Sequence, residues 1–321
     1  MHEVEELRKK ILFESYVNGT HNKEGPLFKR IKIKKQTVDY ALEKMLEEKL
    51  FTKTKYELDL NTVGIGKFAW VLMSINWESY NSSDFIKKLL GLTQVVTVAD
   101  VTGTSDVAVK IFGPSINNIS AFILLMEKLF QGTITDTQVH FANIEYKRHY
   151  FAVGKKTAYK PTRADCAILH EKMNNSKITL GEIAEKHKLH RNTVSKKWEK
   201  LWSRGVIVKE LPDLTQEGYD ELKMGLKAFI IIKPVPGKEE KIVKNLLKNK
   251  EIQDIFTTLS NEIVVILRTE NSQTLASIHR NLTKIDSSVK RTSTSIFLTK
   301  YNKNTLSLPE IKGLVNGCAN L

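Results

Sequence analysis

A repeat runs through this chain, and it constrains the fold more than any other feature of the sequence. Segments in the first half reappear 156 residues later with the same order of apolar, basic and hydroxyl side chains. The matched segments are Ile33–Val38 with Leu189–Val194, Glu43–Lys44 with Glu199–Lys200, and Val107–Ile111 with Ile263–Leu267. Because the spacing recurs in helix-like and in strand-like segments, the sequence predicts two copies of one unit, each about 150 residues long.

The first part of each copy has a helical pattern, which is clearest in the second copy. A helix over 163–173 is followed by Thr179-Leu180-Gly181-Glu182, a capping box that marks the start of a short helix. A third helix over 191–203 carries an apolar stripe and ends before Gly205. The stripe consists of Val194, Trp198, Leu201 and Trp202. A short capped helix, a turn and an amphipathic helix are typical of a helix-turn-helix motif.

The second part of each copy alternates between strand and helix patterns in the order β-α-β-β-α-β, which is the ferredoxin-like plan. The predicted segments are 68–76, 83–90, 94–101, 107–112, 115–130 and 133–142 in the first copy, and 226–232, 238–249, 252–259, 263–267, 272–285 and 289–298 in the second. The fold class is therefore α+β, a tandem repeat of a winged helix-turn-helix and a ferredoxin-like domain. Its strands are apolar on nearly every residue, so we expect the two sheets to pair within one chain.

Domain boundaries follow from the repeat and from breaker residues. Residues 1–62 are predicted to form a degenerate helix-turn-helix domain, and residues 63–145 a ferredoxin-like sensor and dimerisation domain. Residues 146–162 form a linker that contains Gly154 and Pro161. The second copy then gives a helix-turn-helix domain at 163–222 and a sensor and dimerisation domain at 223–303, with a C-terminal tail at 304–321.

Composition favours a polyanionic partner and argues against several other classes of protein. The 50 basic residues exceed the 36 acidic ones, for a formal net charge of +14. Such a surplus attracts phosphates, although a merely well-solvated basic surface has the same composition. No apolar run is long enough to span a membrane, and two distant cysteines, Cys166 and Cys318, predict a reducing cytoplasm without disulfides. The sequence shows no metal-ligand spacing, nucleotide loop or hydrolase motif, so we expect no metal, no cofactor and no enzyme activity.

The third helix of the second copy is the candidate for reading double-stranded DNA. With Val194 and Trp198 turned inward, its polar and basic side chains face outward. Arg191, Asn192 and Lys196, with Thr193 beside them, are the candidates for contacts with base edges. Lys197, Lys200 and Arg204 are the candidates for phosphate contacts, which position a protein without specifying a sequence. The alternative is an ordinary solvated amphipathic helix.

The equivalent region of the first copy is a weaker DNA-binding candidate. Gly25-Pro26 stands where its short helix should begin, and its third helix carries several acidic residues, which phosphate repels. A basic run still precedes that helix, and it supplies Lys34, Lys35 and Gln36 as candidate DNA contacts. The alternative is a plain solvated charge run.

These residues resemble the Lrp/AsnC family, the feast/famine transcriptional regulators. The motifs that carry the resemblance are Ile178–Ala184, Arg191–Val194, Arg204–Ile207 and Val101–Asp106. The resemblance implies a sequence-preferring DNA-binding regulator that forms dimers or larger assemblies and responds to a small effector such as an amino acid. It places that effector at Gly103, Thr104 and Asp106, although any hairpin turn needs a glycine and a polar residue. This chain departs from the family in fusing two units, in carrying His190 at a helix start, and in lacking the glycine at Ser260–Glu262.

Some relatives that share this architecture have a different function: they decarboxylate the tetrapyrrole sirohaem. Such chemistry needs basic residues for substrate carboxylates and a histidine or tyrosine near the reacting group. Tyr146-Lys147-Arg148-His149-Tyr150 offers that mixture, and the competing interpretation is that it is the basic linker between the two copies.

Overall fold

The computed structural model describes residues 2–59, 61–63, 66–152, 159–283 and 288–302. Its helices are α1 (His2–Val17), α2 (Leu27–Arg30), α3 (Lys35–Glu47), α4 (Ser82–Gly91), α5 (Ile116–Leu129), α6 (Arg163–Asn174), α7 (Leu180–Lys186), α8 (Arg191–Ser203), α9 (Gln216–Glu221), α10 (Glu239–Leu247) and α11 (Ser272–Thr283). Its strands are β1 (His21–Asn22), β2 (Gly25–Pro26), β3 (Phe51–Leu58), β4 (Lys67–Ile75), β5 (Val95–Val101), β6 (Val107–Gly113), β7 (Ile134–Arg148), β8 (Phe151–Ala152), β9 (Ile207–Leu214), β10 (Leu226–Pro234), β11 (Ile252–Thr258), β12 (Ile263–Thr269) and β13 (Val289–Asn302). The α+β class predicted from the sequence is confirmed.

The elements separate into two compact units, and each unit combines equivalent parts of both copies. The helical unit contains the described residues of 2–63 and 159–225, and therefore both helix-turn-helix regions. The sheet unit contains the described residues of 66–152 and 226–302, and therefore both ferredoxin-like regions. Among the described residues, no helix has the length and apolar character needed to cross a bilayer.

In the helical unit, the strands that follow the two third helices pair with each other. β3 and β9 run antiparallel, with Phe51 opposite Leu214 and Leu58 opposite Ile207. The 156-residue repeat takes Phe51 to Ile207 and Leu58 to Leu214, so the first pair becomes the second. The ladder is thus symmetric under the repeat, as expected for a local two-fold relation between equivalent segments.

The first copy of the helix-turn-helix departs from the second at its short helix. The segment equivalent to α7, residues 24–30, forms β2, which pairs with β1 in a hairpin, and then α2, which has only four residues and begins after Pro26. Proline lacks the backbone N–H that a helix interior needs, so it fits only at the helix start. β1 adds the hairpin to the shared sheet by pairing His21 with Glu210 and Asn22 with Lys209. The first copy, which the sequence predicts to be degenerate, therefore has a strand and a four-residue helix where the second copy has α7.

In the sheet unit, the two ferredoxin-like sheets join into a closed ring of strands. The order is β11-β12-β10-β13-β5-β6-β4-β7, and β7 pairs again with β11. Each copy contributes four strands in ferredoxin-like order, and the copies meet at β13–β5 and at β7–β11. The two sheets thus pair within the chain, and they do so through their edges as well as their faces.

Both faces of the ring are buried, as the apolar strands predict. On the outer face, α4 and α5 cover Val71 and Val109, and α10 and α11 cover Ile230 and Val265. The inner face carries aromatic side chains that contact one another across the ring. Phe68 lies 5.1 Å from Phe256, and Trp70 lies 5.6 Å from Phe229, between ring centroids.

The first part of the segment predicted as a linker, residues 146–152, forms strands and a turn instead. β7 continues to Arg148, turns at His149 and Tyr150, and returns as β8. The extension is stabilised because β7 pairs with β4 along its first part and with β11 along its last part. Residues 153–158 of the expected linker, and the whole of the predicted C-terminal tail, lie outside the described residues.

Candidate nucleic-acid interface

The second helix-turn-helix is built around a small apolar core shared by α6, α7 and α8. Ile168, Ile183, Val194 and Leu201 are fully buried in it. Trp198 and Trp202 are half-buried against the same core, so the apolar stripe predicted for α8 is confirmed. This core fixes which face of α8 remains outside.

Capping groups fix the ends of the helices that present this face. The capping box predicted at α7 is present: Glu182 N donates to Thr179 Oγ1 over 3.2 Å, and Thr179 N donates to the Glu182 carboxylate over 2.7 Å. His190 is the N-cap residue of α8, and its Nδ1 accepts from Asn192 N over 3.3 Å. The helix ends at Ser203, and the chain turns away after the C-cap Arg204 at Gly205, whose φ of +68° is a left-handed conformation that glycine adopts without strain. The start and stop predicted for α8 are therefore both confirmed.

Most of the predicted DNA-contacting residues of α8 lie together on its exposed face. Arg191, Asn192, Thr193 and Lys196 are exposed along the first turns of the helix, and Lys200 and Arg204 continue the row. The side chains of Arg191 and Lys196 make no ion pair within the described part of the chain. An exposed N-terminal half with unpaired donors is the arrangement that base recognition from a major groove requires.

Lys197 occupies a different position from its neighbours. Its Nζ donates to Thr162 Oγ1 over 2.7 Å and lies 3.2 Å from Asp165 Oδ1. Burial opposes ionisation of Asp165, but the hydrogen bonds from Thr162, Tyr159 and Lys197 outweigh it and lower the pKa of that carboxyl. Lys197 therefore joins α8 to the start of α6, and its proposed phosphate contact stays a prediction.

Residues that the sequence reading did not select hold the motif together. Glu171 on α6 is only 5% exposed, and it accepts from Lys186 Nζ over 2.8 Å and His187 Nε2 over 2.9 Å, both at the end of α7. Burial disfavours its charge, yet these two partners lower the pKa of Glu171 overall. Thr162 and Asp165 form a second capping box, and the Thr-x-x-Asp spacing was a signal that could have located it.

The second half of α8 faces the β1–β2 hairpin of the first copy. His21 and Trp202 stack edge to face with centroids 5.0 Å apart, and Tyr56 of β3 contacts Trp198 at 5.2 Å. Burial and the nearby Arg30 lower the pKa of His21, which favours the neutral ring in this stack. A cleft of about 450 Å³ remains between hairpin and helix, lined by His21, Asn22, Lys23, Gly25, Trp198, Glu199, Trp202 and Ser203.

The predicted contacts of the first copy lie at the start of α3. Lys34 is the N-cap residue of that helix, and Lys35 and Gln36 are exposed in its first turn. Tyr40 stands at the position equivalent to Lys196 and is 62% exposed. The basic residues are thus accessible at the start of α3, but the rest of the outward face of that helix lacks the donors of α8.

The turn predicted to hold an effector lies in the sheet unit, between β5 and β6. Gly103 has a φ of +116°, and a Cβ there would lie 3.1 Å from both Thr294 O and Ser295 Oγ of β13. Asp106 Oδ2 accepts from Ile75 N over 2.8 Å, which ties the turn to β4. Both residues therefore have structural partners, and their binding of an effector stays a prediction.

The segment weighed for tetrapyrrole chemistry forms a tight hairpin in the sheet unit. His149 and Tyr150 have φ values of +45° and +73°, which non-glycine residues seldom adopt. The turn is held because His149 N donates to Asp254 Oδ1 over 2.7 Å and Tyr150 N donates to Gln253 O over 2.9 Å. No group of three or more potential metal-ligating side chains occurs in the described ranges.

Comparison with known proteins places the chain in a family. No family model matches it. The HTH-type transcriptional regulator FL11 of Pyrococcus abyssi is 33% identical over 146 residues, which are 45% of this chain and 93% of FL11. FL11 of Pyrococcus horikoshii is 32% identical over the same lengths. The chain belongs to the Lrp/AsnC family of HTH-type regulators.

One match to an Lrp/AsnC regulator accounts for less than half of this chain, about the length of one copy of the repeat. A solved structure covers nearly all of it. The siroheme decarboxylase NirDL, in co-complex with an iron-uroporphyrin III analogue, aligns with 98% of this chain and 100% of its own, at a TM-score of 0.64 and 10% identity. At that identity the likeness shows a shared fold and nothing further.

Proposed function

We propose that the protein is a transcriptional regulator that binds double-stranded DNA with a sequence preference through α8. The observation that carries the proposal is the exposed row Arg191, Asn192 and Lys196 on a helix fixed by two caps and a buried stripe. Arg191 and Asn192 read base edges, and Lys200 and Arg204, farther along the same exposed row, hold phosphates. Relatives that are HTH-type regulators support this assignment.

The test compares variants that remove base contacts with a variant that removes a phosphate contact. DNA fragments selected from a random pool by the wild-type protein serve as ligands in fluorescence anisotropy. Arg191→Ala/Asn192→Ala should weaken the selected site by about 1–3 kcal/mol per lost base contact while leaving random DNA nearly unchanged. Lys200→Ala should weaken both ligands alike and reduce the slope of log affinity against log salt by about one. Lys250→Ala, an exposed lysine of the sheet unit, is the matched control and should change neither.

If the double variant bound selected and random DNA with the same ratio of affinities as the wild type, base recognition by α8 would be refuted. Binding that persists at high salt without a slope would refute the phosphate contacts. A regulator of this kind works in the cytoplasm, as the cysteine content predicts. Cell fractionation tests this location separately.

An effector at the Gly103 turn is a further part of the proposal. Its support is the left-handed conformation of Gly103, in which a turn can direct a backbone N–H group toward an anionic group such as an amino-acid carboxylate. Calorimetry with a panel of amino acids on the wild type and on Gly103→Val tests it. Heat in the wild type that is lost in a folded variant supports the site, and equal affinity in both refutes it.

A second candidate function is chemistry on a tetrapyrrole. The specific observation in its favour is the His149–Tyr150 turn, because two consecutive non-glycine residues in a left-handed conformation are the kind of backbone strain found at functional sites. The absorption spectrum of the protein titrated with an iron-uroporphyrin tests it. A shifted visible band that His149→Ala abolishes would favour the enzyme, and an additive spectrum would exclude this candidate.

A further inference from the structure

The outward face of α10 carries a row of three lysines, Lys241, Lys244 and the C-cap residue Lys248. All three are exposed, and they lie opposite the residues that α10 buries in the outer core of the second ferredoxin-like region, which are Ile242, Val243 and Leu246. Because residues three and four apart lie on one face of a helix, the row is continuous and about 10 Å long. Lys250 follows the helix and is not part of this row.

The repeat supplies a direct comparison for this row, because α4 is the equivalent helix of the first copy. The residues that α4 buries have the same spacing as those of α10, and they are Phe85, Ile86 and Leu89. Aligning the buried positions makes Asp84, Lys87 and Gly91 the equivalents of Lys241, Lys244 and Lys248. The row therefore has a formal charge of +3 in the second copy and of zero in the first.

The difference in charge extends over the whole of each ferredoxin-like region. Residues 226–302 contain 13 basic and 7 acidic side chains, whereas residues 66–152 contain 7 of each. α11, which covers the same sheet as α10, adds the exposed Arg280, and the equivalent residue of α5 is Leu124. Both copies form the same succession of strands, so the fold does not require the basic surplus of the second copy.

The lysine row also opposes the stability of α10. Like charges three and four residues apart on a helix repel each other. Glu240 lies 3.9 Å from Lys244, but their side chains are 88% and 76% exposed, so solvent screens this pair and it contributes little. A basic surface that folding does not need, and that lowers stability, is the pattern expected where an anionic partner covers the charges.

The chemistry of this surface fits the backbone of duplex DNA better than it fits other polyanions. Lysines are flexible point charges, which bind phosphates without reading bases. Proteins that bind single-stranded nucleic acid stack its bases on aromatic side chains, and α10 contains none. Helices that bind an anionic membrane insert an apolar face, whereas α10 buries its apolar face in the protein and leaves only Leu247 partly exposed, at 38%.

We propose that the outward face of α10 binds the phosphate backbone of duplex DNA, in addition to the contacts of α8. Lys241, Lys244 and Lys248 each hold a phosphate, and they do so without preference for a sequence. The inference rests on the proposed function for its choice of partner, but it does not depend on base recognition by α8, because DNA of random sequence tests it. The surface lies wholly within the sheet unit.

The test compares two triple variants of the full-length protein that make the same change of charge. One is Lys241→Gln/Lys244→Gln/Lys248→Gln, and the other is Lys87→Gln/Lys88→Gln/Lys128→Gln, which changes three exposed lysines of the first copy. Fluorescence anisotropy with a long random duplex over a series of salt concentrations measures both. The α10 variant should reduce the slope of log affinity against log salt by about two to three, since each phosphate contact contributes about 0.9, and the first-copy variant by less than about one. Equal slopes for the two variants, or a wild-type slope for the α10 variant, would overturn the proposal.

A second measurement uses only the wild-type protein. Mass spectrometry after brief acetylation should show that the random duplex protects the three lysines of α10 and leaves Lys87 and Lys128 reactive, and equal reactivity with and without DNA would overturn the proposal. Stronger protection by single-stranded DNA or by phosphatidylserine vesicles than by the duplex would assign the surface to another partner and overturn it as well. A wrong assignment of α8 would instead appear as equal affinity for selected and random DNA, so the two proposals fail separately.

Discussion

Replacing Glu171 by glutamine should destabilise the helical unit, because this one carboxylate joins α6 to the end of α7. It is almost fully buried and accepts from Lys186 Nζ and His187 Nε2 over 2.8 and 2.9 Å. Glutamine has nearly the same shape, so the substitution removes the charge and one acceptor without leaving a cavity. Hydrogen bonds to a charged group contribute about 1.5–3 kcal/mol each when they are shielded from solvent.

The two contacts are shielded to different degrees. The Lys186 side chain is 61% exposed, so its contact contributes no more than about 1 kcal/mol. The His187 side chain is 26% exposed and contributes nearer the full amount. We therefore expect Glu171→Gln to lower the free energy of unfolding by about 2 kcal/mol at pH 7.

The pH dependence follows from the lowered pKa of Glu171 in the folded state. An acid whose pKa is lowered by folding stabilises the protein above its ordinary pKa of 4.5, and this stabilisation is lost as the pH falls through the folded value. Urea unfolding followed by circular dichroism should show the full difference between wild type and variant at pH 7 and a smaller one at pH 3.5. Glu199→Gln, which changes an exposed carboxylate of α8, is the control. A difference below about 0.5 kcal/mol at pH 7, or one that does not change with pH, would refute this reasoning.

Substitutions at three further positions test other parts of the helical unit. Thr179→Ala should lower the free energy of unfolding by about 1 kcal/mol because it removes the cap of α7, whereas Thr179→Ser should retain most of the stability. Equal stability of the wild type and both variants in urea would contradict the role of the cap. Gly205→Ala should lower the free energy of unfolding by about 1 kcal/mol, because alanine is strained at a φ of +68°. An unchanged urea midpoint would show that the backbone relaxes there. Lys197→Met should lower stability and leave the preference for selected over random DNA intact, and a lost preference in anisotropy would show that Lys197 contacts bases.

The features that sequence could predict are those fixed by local patterns. The capping box at Thr179, the stop at Gly205 and the stripe beginning at Val194 each depend on residues within one or two helical turns. The ferredoxin-like order was predictable because the same succession of apolar strands and helices occurs in both copies. These patterns sufficed for the fold class and for the exposed face of α8.

The features that sequence missed depend on contacts between distant residues. The β1–β2 hairpin forms because β9, almost 190 residues later, offers its edge to His21 and Asn22. The continuation of β7 through the expected linker depends on β11 in the same way. Lys197 has a basic, surface-like sequence context, and only the folded position of Asp165 shows that it is engaged. No local pattern carries such information, since the partner is chosen by tertiary packing.

The unequal copies of the helix-turn-helix lead to a prediction about the length of the DNA site. The symmetric β3–β9 ladder would place two equivalent third helices about a local two-fold relation, as two half-sites require. Yet α3 has Tyr40 where α8 has Lys196, and its preceding helix is reduced to the four residues of α2. One chain should therefore protect a single half-site, and a palindromic site about one helical turn longer should bind two chains. Sedimentation of the protein with duplexes of one and two half-sites measures this directly, with complexes of one and two chains expected. A single chain that protects both halves of a palindrome would show that α3 reads bases after all.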